Sequence, residues 1–266
     1  MPRPFGRIFR AVAGAAVIVT AAAAVLQPLE GAQAAPNRPL PRTPDGRPDL
    51  SGVWQAMNTA NIDIEPHSAT RETPAGLGVV DGGELPYQKW ALAQRDENRR
   101  SGAARDTERR CFLPGVPRVM YMPYPFQIVQ TPKVLVMLFE YANATRNVFM
   151  DTPHLEGPLE WWMGDSRGRW EEDTLVVSVT HFNDQTWFDR AGNFHSEALQ
   201  VLERFAMTSP DHIRYTATIT DPKVFNRPWT MSMVLYRHVE PNAQLLDYPC
   251  YAFDLGDTPL KPVEGR

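Results

Sequence analysis

The sequence predicts an all-β protein, an antiparallel meander that closes into a barrel, with a Pro-rich N-terminal arm and one peripheral helix. Three observations predict it. From Phe126 onward, segments rich in Val, Leu, Met and Phe recur over 127–131, 133–141, 146–151, 175–182, 195–207, 212–221, 229–239 and 245–252. The links between many of them are short and carry turn residues, as in Glu172-Asp173, Ala191-Gly192-Asn193 and Ser209-Pro210-Asp211. Only one stretch, Pro86 to Arg100, has the look of a helix. Successive strands with short links pair antiparallel. Eight or nine of them favour closure, which removes exposed edges. A two-sheet sandwich is the alternative.

Residues 1–34 are expected to be a secretory signal peptide rather than part of the fold. Arg3, Arg7 and Arg10 precede an apolar run from Ala11 to Leu26, and Ala32-Gln33-Ala34 supplies small residues at a cleavage site. The apolar run is shorter than the ~20 residues of a spanning helix. A mature chain starting at Ala35 is therefore expected in the periplasm or outside the cell, with no membrane span left after cleavage. Residues 35–50 carry Pro36, Pro39, Pro41, Pro44 and Pro48, which block a regular ladder and predict an extended arm. The single barrel domain then covers 51–266, its first strand starting at Ser51-Gly52-Val53-Trp54-Gln55. Residues 57–83 show no clean period and read as a loop. The helix after Pro86 has good helix formers in its first half and charges in its second, so it should lie on the outside.

The full chain has 27 basic and 31 acidic residues. Removing 1–34 takes three Arg and one Glu, leaving 24 against 30, a net charge of −6. That excludes the basic footprint of nucleic-acid binding. Cys111 and Cys250 are the only cysteines. An even pair in an oxidising compartment predicts a disulfide. Two buried free thiols are the other reading.

Gly52-Val53-Trp54 on the first strand and Arg237 late in the chain resemble the lipocalin/calycin signature. The resemblance implies a Trp that closes the barrel base with an Arg packed over it, and a lipocalin-like barrel. The chain departs from that pattern in the long segment between the G-x-W strand and the meander. The segments TPDGRPDLSGVW, MGDSRGRWE, FNDQTWFD and RPWTMSM also resemble a large family of secreted proteins of soil and environmental bacteria. That resemblance spans nearly the whole mature chain. It implies a secreted β-rich domain and no particular activity.

The densest group of chemically active side chains is His181, Asp184, Trp187, Asp189, His195 and Glu197. Acid, imidazole and indole groups between two strand patterns predict the rim of a pocket at one barrel end. As a strand, 195–207 would place His195, Glu197, Glu203 and Phe205 on one face. If that face points inward, desolvation favours the protonated form of Glu203 and suits it to proton transfer. The plainer reading pairs Glu203 with a cross-strand Arg such as Arg214. The candidate catalytic residues are thus His195, Glu203, Asp184 and Asp189. Trp187, His181, Glu197, Tyr121 and Tyr124 are the candidate ligand contacts. Tyr121 and Tyr124 lie in a Pro-interrupted stretch that could cover a barrel mouth as a lid.

Two motifs are weighed and set aside. Gly164-Asp165-Ser166-Arg167-Gly168 matches G-x-S-x-G, but no helix follows it, so it reads as a hairpin loop rather than a nucleophile elbow. The His and acidic residues of 181–197 are metal-ligand types, but they follow no established ligand spacing, so no metal or other cofactor is assigned. The expected function is binding of a small apolar or aromatic molecule. The alternative is a cofactor-independent lyase, isomerase or hydrolase using His, Asp and Glu in the barrel mouth.

Overall fold

The computed structural model describes residues 38–101 and 105–248. The proposed signal peptide and Cys250 lie outside the described residues. Nine strands form a closed barrel in sequence order. They are β1 (Gly52–Ala56), β2 (Phe126–Gln130), β3 (Val134–Phe139), β4 (Thr145–Met150), β5 (Asp165–Glu171), β6 (Thr174–Thr180), β7 (Gln200–Ser209), β8 (His212–Thr220) and β9 (Trp229–Arg237). One α-helix, α1 (Lys89–Ser101), occurs among the described residues, where the sequence placed it. No helix among these residues is long and apolar enough to cross a membrane.

Closure comes from β1, which pairs antiparallel with both β2 and β9. Gly52 faces Ile128 on one side, and Trp54 faces Arg237 on the other. A strand was expected over 245–252, but its described residues, 245–248, form none. The physical reason is that β1 already occupies the free edge of β9, so the ladder has no place for another strand.

Inner and outer faces alternate as the pleat requires. Leu135, Met137, Val148, Val177, Val201, Phe205, Tyr215, Ala217 and Met231 point inward and are buried. A barrel of this size has an interior just wide enough to be filled by side chains. Here the filling includes Phe126, Phe205 and Tyr215.

The two barrel ends differ. At one, β2–β3, β5–β6 and β7–β8 are joined by short turns. Trp54 seals this base: it is fully buried, and its indole N–H donates to the Leu50 carbonyl at 2.8 Å. The Arg237 guanidinium lies 4.2 Å from the Trp54 ring centre, donating to Ser51 O at 2.6 Å and Pro210 O at 2.8 Å. The G-x-W glycine has a direct cause. A Cβ at Gly52, where φ is +137°, would stand 2.1 Å from Arg237 Nη1.

The other end receives the long connections 57–125, 181–199 and 221–228. Phe188, from the second of these, packs against Phe225 and Trp229, so this end is plugged by core rather than left open.

One pair breaks the antiparallel pattern. β4 and β5 run parallel, with Val148 opposite Ser166 and Met150 opposite Gly168. Residues 151–164 must therefore travel back along the barrel to bring β5 in at the same end as β4. The stretch that read as a hairpin loop, 164–168, is instead mostly β5. Its Gly168 is an inward-facing position where a Cβ would come within 2.6 Å of Met150 Sδ and 2.8 Å of Val148 Cγ1. Glycine here answers to packing, not to a turn.

Candidate functional site

The parallel β4–β5 pair borders a cleft on the barrel flank. On the approach to β5, Trp161 pairs with the continuation of β6 instead of with β4. Its N–H donates to His181 O at 2.8 Å, and its carbonyl accepts from Asn183 N at 3.1 Å. The chain thus leans towards β6 and leaves a cleft beside the first half of β4. A pocket of about 380 Å³ occupies this cleft. Leu113, Phe149, Leu155, Trp161, Trp162 and Met163 supply apolar walls. Arg146 and Ser166, whose side chains belong to the barrel interior, line it from below. Trp162 is held by stacking on Phe112, with ring centres 5.0 Å apart and planes 7° from parallel.

Beneath this pocket lies a charged network buried inside the barrel. Arg146 on β4 forms a two-pronged ion pair with Glu203 on β7, one prong at 3.0 Å. Glu203 also accepts from the Tyr215 hydroxyl at 2.9 Å, and Arg146 Nε donates to Ser166 Oγ at 3.0 Å. Glu203 therefore faces inward, and its partner is not Arg214, which is exposed. The pairing spans the barrel from β4 to β7, a contact that no local spacing announces.

Alongside the pocket, on the outer face of β5 and β6, a second group converges. Asp165 and Arg167 stand opposite Thr180 and Ser178, so all four side chains share that face. The returning segment 151–164 lays His154 over them. His154 Nδ1 is 2.8 Å from Asp165 Oδ2 and 3.1 Å from Thr180 Oγ1, and its Nε2 is 3.0 Å from Ser178 Oγ. His181, just past β6, has its Nδ1 2.7 Å from the same Thr180 hydroxyl. His181 adopts φ +62°, a left-handed conformation uncommon for this residue.

Burial opposes ionisation of Asp165, but hydrogen bonds from Arg167, His154 and Leu155 N and the Arg167 charge together outweigh it and hold the carboxyl below its usual range. The chain carboxylate–imidazole–hydroxyl through Asp165, His154 and Ser178 has the order of a nucleophile triad. Ser178, however, sits mid-strand, paired with Arg167 on β5 and Leu202 on β7. Its neighbours' backbone N–H groups are spent on the ladders and cannot stabilise an oxyanion.

The side chains singled out in the sequence are spread over several environments. His181 belongs to the cluster just described. His195 is buried among Phe182 and Phe188, bonded to Thr186 Oγ1 at 2.7 Å and Ser196 O at 2.9 Å. Burial pushes its imidazole towards the neutral form. It precedes β7, which begins only at Gln200, so His195 and Glu203 do not share a strand face. Asp221 draws the intervening backbone away by accepting from Ser196 N at 2.6 Å and Ser196 Oγ at 2.9 Å. Glu197 is exposed and paired with Lys223. Asp184 is exposed, and Trp187 is buried in the plug.

Tyr121 is buried, donating to Phe188 O at 2.8 Å, so the Pro-interrupted stretch anchors the plug rather than forming a lid there. Tyr124 is half-buried against Tyr141 and Tyr248, and bonds the Tyr248 hydroxyl at 3.0 Å.

Asp189 lies in the plug's own polar network. It accepts from Ile64 N at 2.9 Å, Asn193 N at 3.1 Å and Asn193 Nδ2 at 2.6 Å. Nearby, buried Arg118 bridges Asp106 and Glu108, and Arg190 adds a second cation on Glu108. Burial, reinforced by the Asp63 carboxylate, raises Asp189 to about 7. Between about pH 4 and 7 the folded protein then keeps a proton that the unfolded chain has released. Asp189 is expected to lower stability as pH rises through that window, by about 1.4 kcal/mol per pH unit. Urea unfolding at pH 5, 6 and 7 checks this. The slope should flatten in Asp189→Asn, and equal slopes in the two proteins would refute it.

His154, Asp165 and the pocket walls Trp161 and Trp162 were not identified as site residues from sequence. His154 lies in a stretch without strand pattern, and nothing local pairs it with β5. Compared with family models, curated proteins and solved structures, the chain finds no significant match. The fold and the site together define the class: a closed nine-stranded β-barrel with a side-chain-filled interior and a pocket on its flank.

Proposed function

We propose that the protein is a secreted binding protein that holds a small apolar or aromatic molecule in the pocket beside β4. The observation that carries this reading is the wall of Trp161, Trp162, Phe149, Leu113, Leu155 and Met163 around a pocket of about 380 Å³. Ligand pockets are typically about 300–1,000 Å³, mostly apolar, with a few polar groups that orient the ligand. Thr145, Asn147, Asp165 and Arg167 are among the polar groups that line it. The expected net charge of −6 after cleavage fits a neutral or weakly polar ligand better than a nucleic acid.

The acid–base reading through His195, Glu203, Asp184 and Asp189 has less support. Glu203 is committed to Arg146, and Asp189 to Asn193 and Ile64 N.

Trp162→Ala is expected to weaken binding of one- or two-ring aromatic compounds by roughly 2 kcal/mol, about 30-fold. Calorimetric titration of a panel of such compounds tests this, preceded by native mass spectrometry for co-purifying molecules. Equal affinity for wild type and variant would refute the pocket assignment.

Export and pairing of Cys111 with Cys250 belong to the same proposal. Intact mass of protein recovered from the periplasm or medium should match a chain starting at Ala35. Alkylation under denaturing, non-reducing conditions should add nothing to that mass. A mass including 1–34, or two alkylated thiols, would overturn the respective part.

A further inference from the structure

We propose that His154, Asp165 and His181 bind a divalent transition-metal ion on the outer face of β5 and β6. This site stands on different side chains from the apolar pocket walls and does not depend on the ligand proposed there.

Four observations carry it. First, one ligand-type atom from each of the three residues lies within 4.8 Å of the others. Bonds of about 2.0–2.2 Å to N and O place the donors of one ion roughly 3 Å apart. The His154 Nδ1 to Asp165 Oδ2 separation of 2.8 Å is already near that value. Modest rotation of His181 closes the set.

Second, the donor set is two imidazoles and one carboxylate. Three protein ligands of this kind with a position left open suit zinc or another first-row divalent ion.

Third, the ligands are supported from behind. Ser178 engages His154 Nε2 at 3.0 Å, which leaves Nδ1 facing Asp165. Arg167 and Leu155 N hold the Asp165 carboxylate in place. Such outer partners fix ligand orientation in metal sites. The Arg167 charge also repels a cation, so the site should bind less tightly than one without it.

Fourth, the site is reachable and its geometry is held under strain. The His154 side chain is 27 % exposed. Asp165 lines the apolar pocket, while Thr180 and His181 line a neighbouring depression beside Gly157–Glu160. The left-handed backbone at His181 turns the chain directly after β6, with its imidazole beside Thr180 and Trp161. An uncommon conformation for a His is what a ligand position can require.

The test uses tag-free, full-length protein stripped with a chelator and titrated with Zn²⁺ by calorimetry, then with Co²⁺ by visible absorption. The expected result is one ion per chain. His154→Ala and His181→Asn should each lower affinity at least tenfold, since loss of an outer partner alone costs about 10–100-fold. Asn tolerates the left-handed backbone at 181, and His154 is partly exposed, so both variants should melt near the metal-free wild type. Absence of stoichiometric binding, or unchanged affinity in both folded variants, would overturn the proposal. Aromatic-ligand binding, measured on the same variants, reports on the pocket separately.

Discussion

Arg146→Met is expected to destabilise the protein by about 3–5 kcal/mol. The substitution keeps an unbranched apolar stem in the barrel interior but removes the guanidinium. Glu203 is then left with the Tyr215 hydroxyl alone, in a site where neither Arg146 nor Glu203 reaches water. Ser166 loses its partner as well. The magnitude reflects the cost of an uncompensated buried charge, not the net worth of the pair. A double variant, Arg146→Met with Glu203→Leu, should therefore recover most of the loss, because two apolar side chains can fill the same layer. Guanidinium unfolding of both proteins measures this. A single-variant loss below about 1 kcal/mol would mean that Glu203 finds another partner.

Trp54→Ala should cost a similar amount, about 3–5 kcal/mol. Trp54 is fully buried at the barrel base and is the largest apolar side chain that β1 contributes. Removing it leaves a void, frees the Leu50 carbonyl and takes away the ring under Arg237. Because β1 is the strand that joins β2 to β9, its loosening is felt at the closure itself. Arg237→Met should cost less, since the guanidinium is half-buried and its two carbonyl partners can turn to water. Thermal unfolding of both variants provides the ranking. Equal losses would show that the arginine carries the base as much as the ring does.

The G-x-W and the late Arg were legible through their resemblance to the lipocalin/calycin signature, and the structure brings them together at the closure. One strand edge supplies the Trp, its ladder partner supplies the Arg, and Gly52 is required by their approach. The strand series was legible from its own periodicity. Alternation over β4, β7, β8 and β9 exposes one residue and buries the next, which leaves a period-two signal in the sequence.

β5 was missed because Gly164, Asp165, Ser166 and Gly168 resemble turn chemistry. The glycine at 168 is explained only by Met150 and Val148 on the neighbouring strand. The start of β7 was placed too early because Asp221, from a distant loop, captures Ser196.

The same division holds for function. The pocket-rim residues inferred between His181 and Glu197 are rich in chemistry, yet Trp187, Asp189 and His195 are buried in the plug, and Asp184 and Glu197 are exposed. The charge and aromaticity of the buried three are spent on hydrogen bonds within the plug and on packing. Only His181 joins the outer cluster, and it does so through a connection that sequence spacing does not reveal.

By itself, the sequence determined the all-β class, the number of strands to within one and the outer helix. All of these follow from periodicity, propensity and turn chemistry along a short stretch of chain. Tertiary structure alone decided the parallel β4–β5 pair, the Arg146 partner of Glu203 and the meeting of His154 with Asp165 and His181. These depend on which strand lies beside which after the chain has turned back across the barrel. A long-range pairing of that kind leaves no period in the sequence from which to read it.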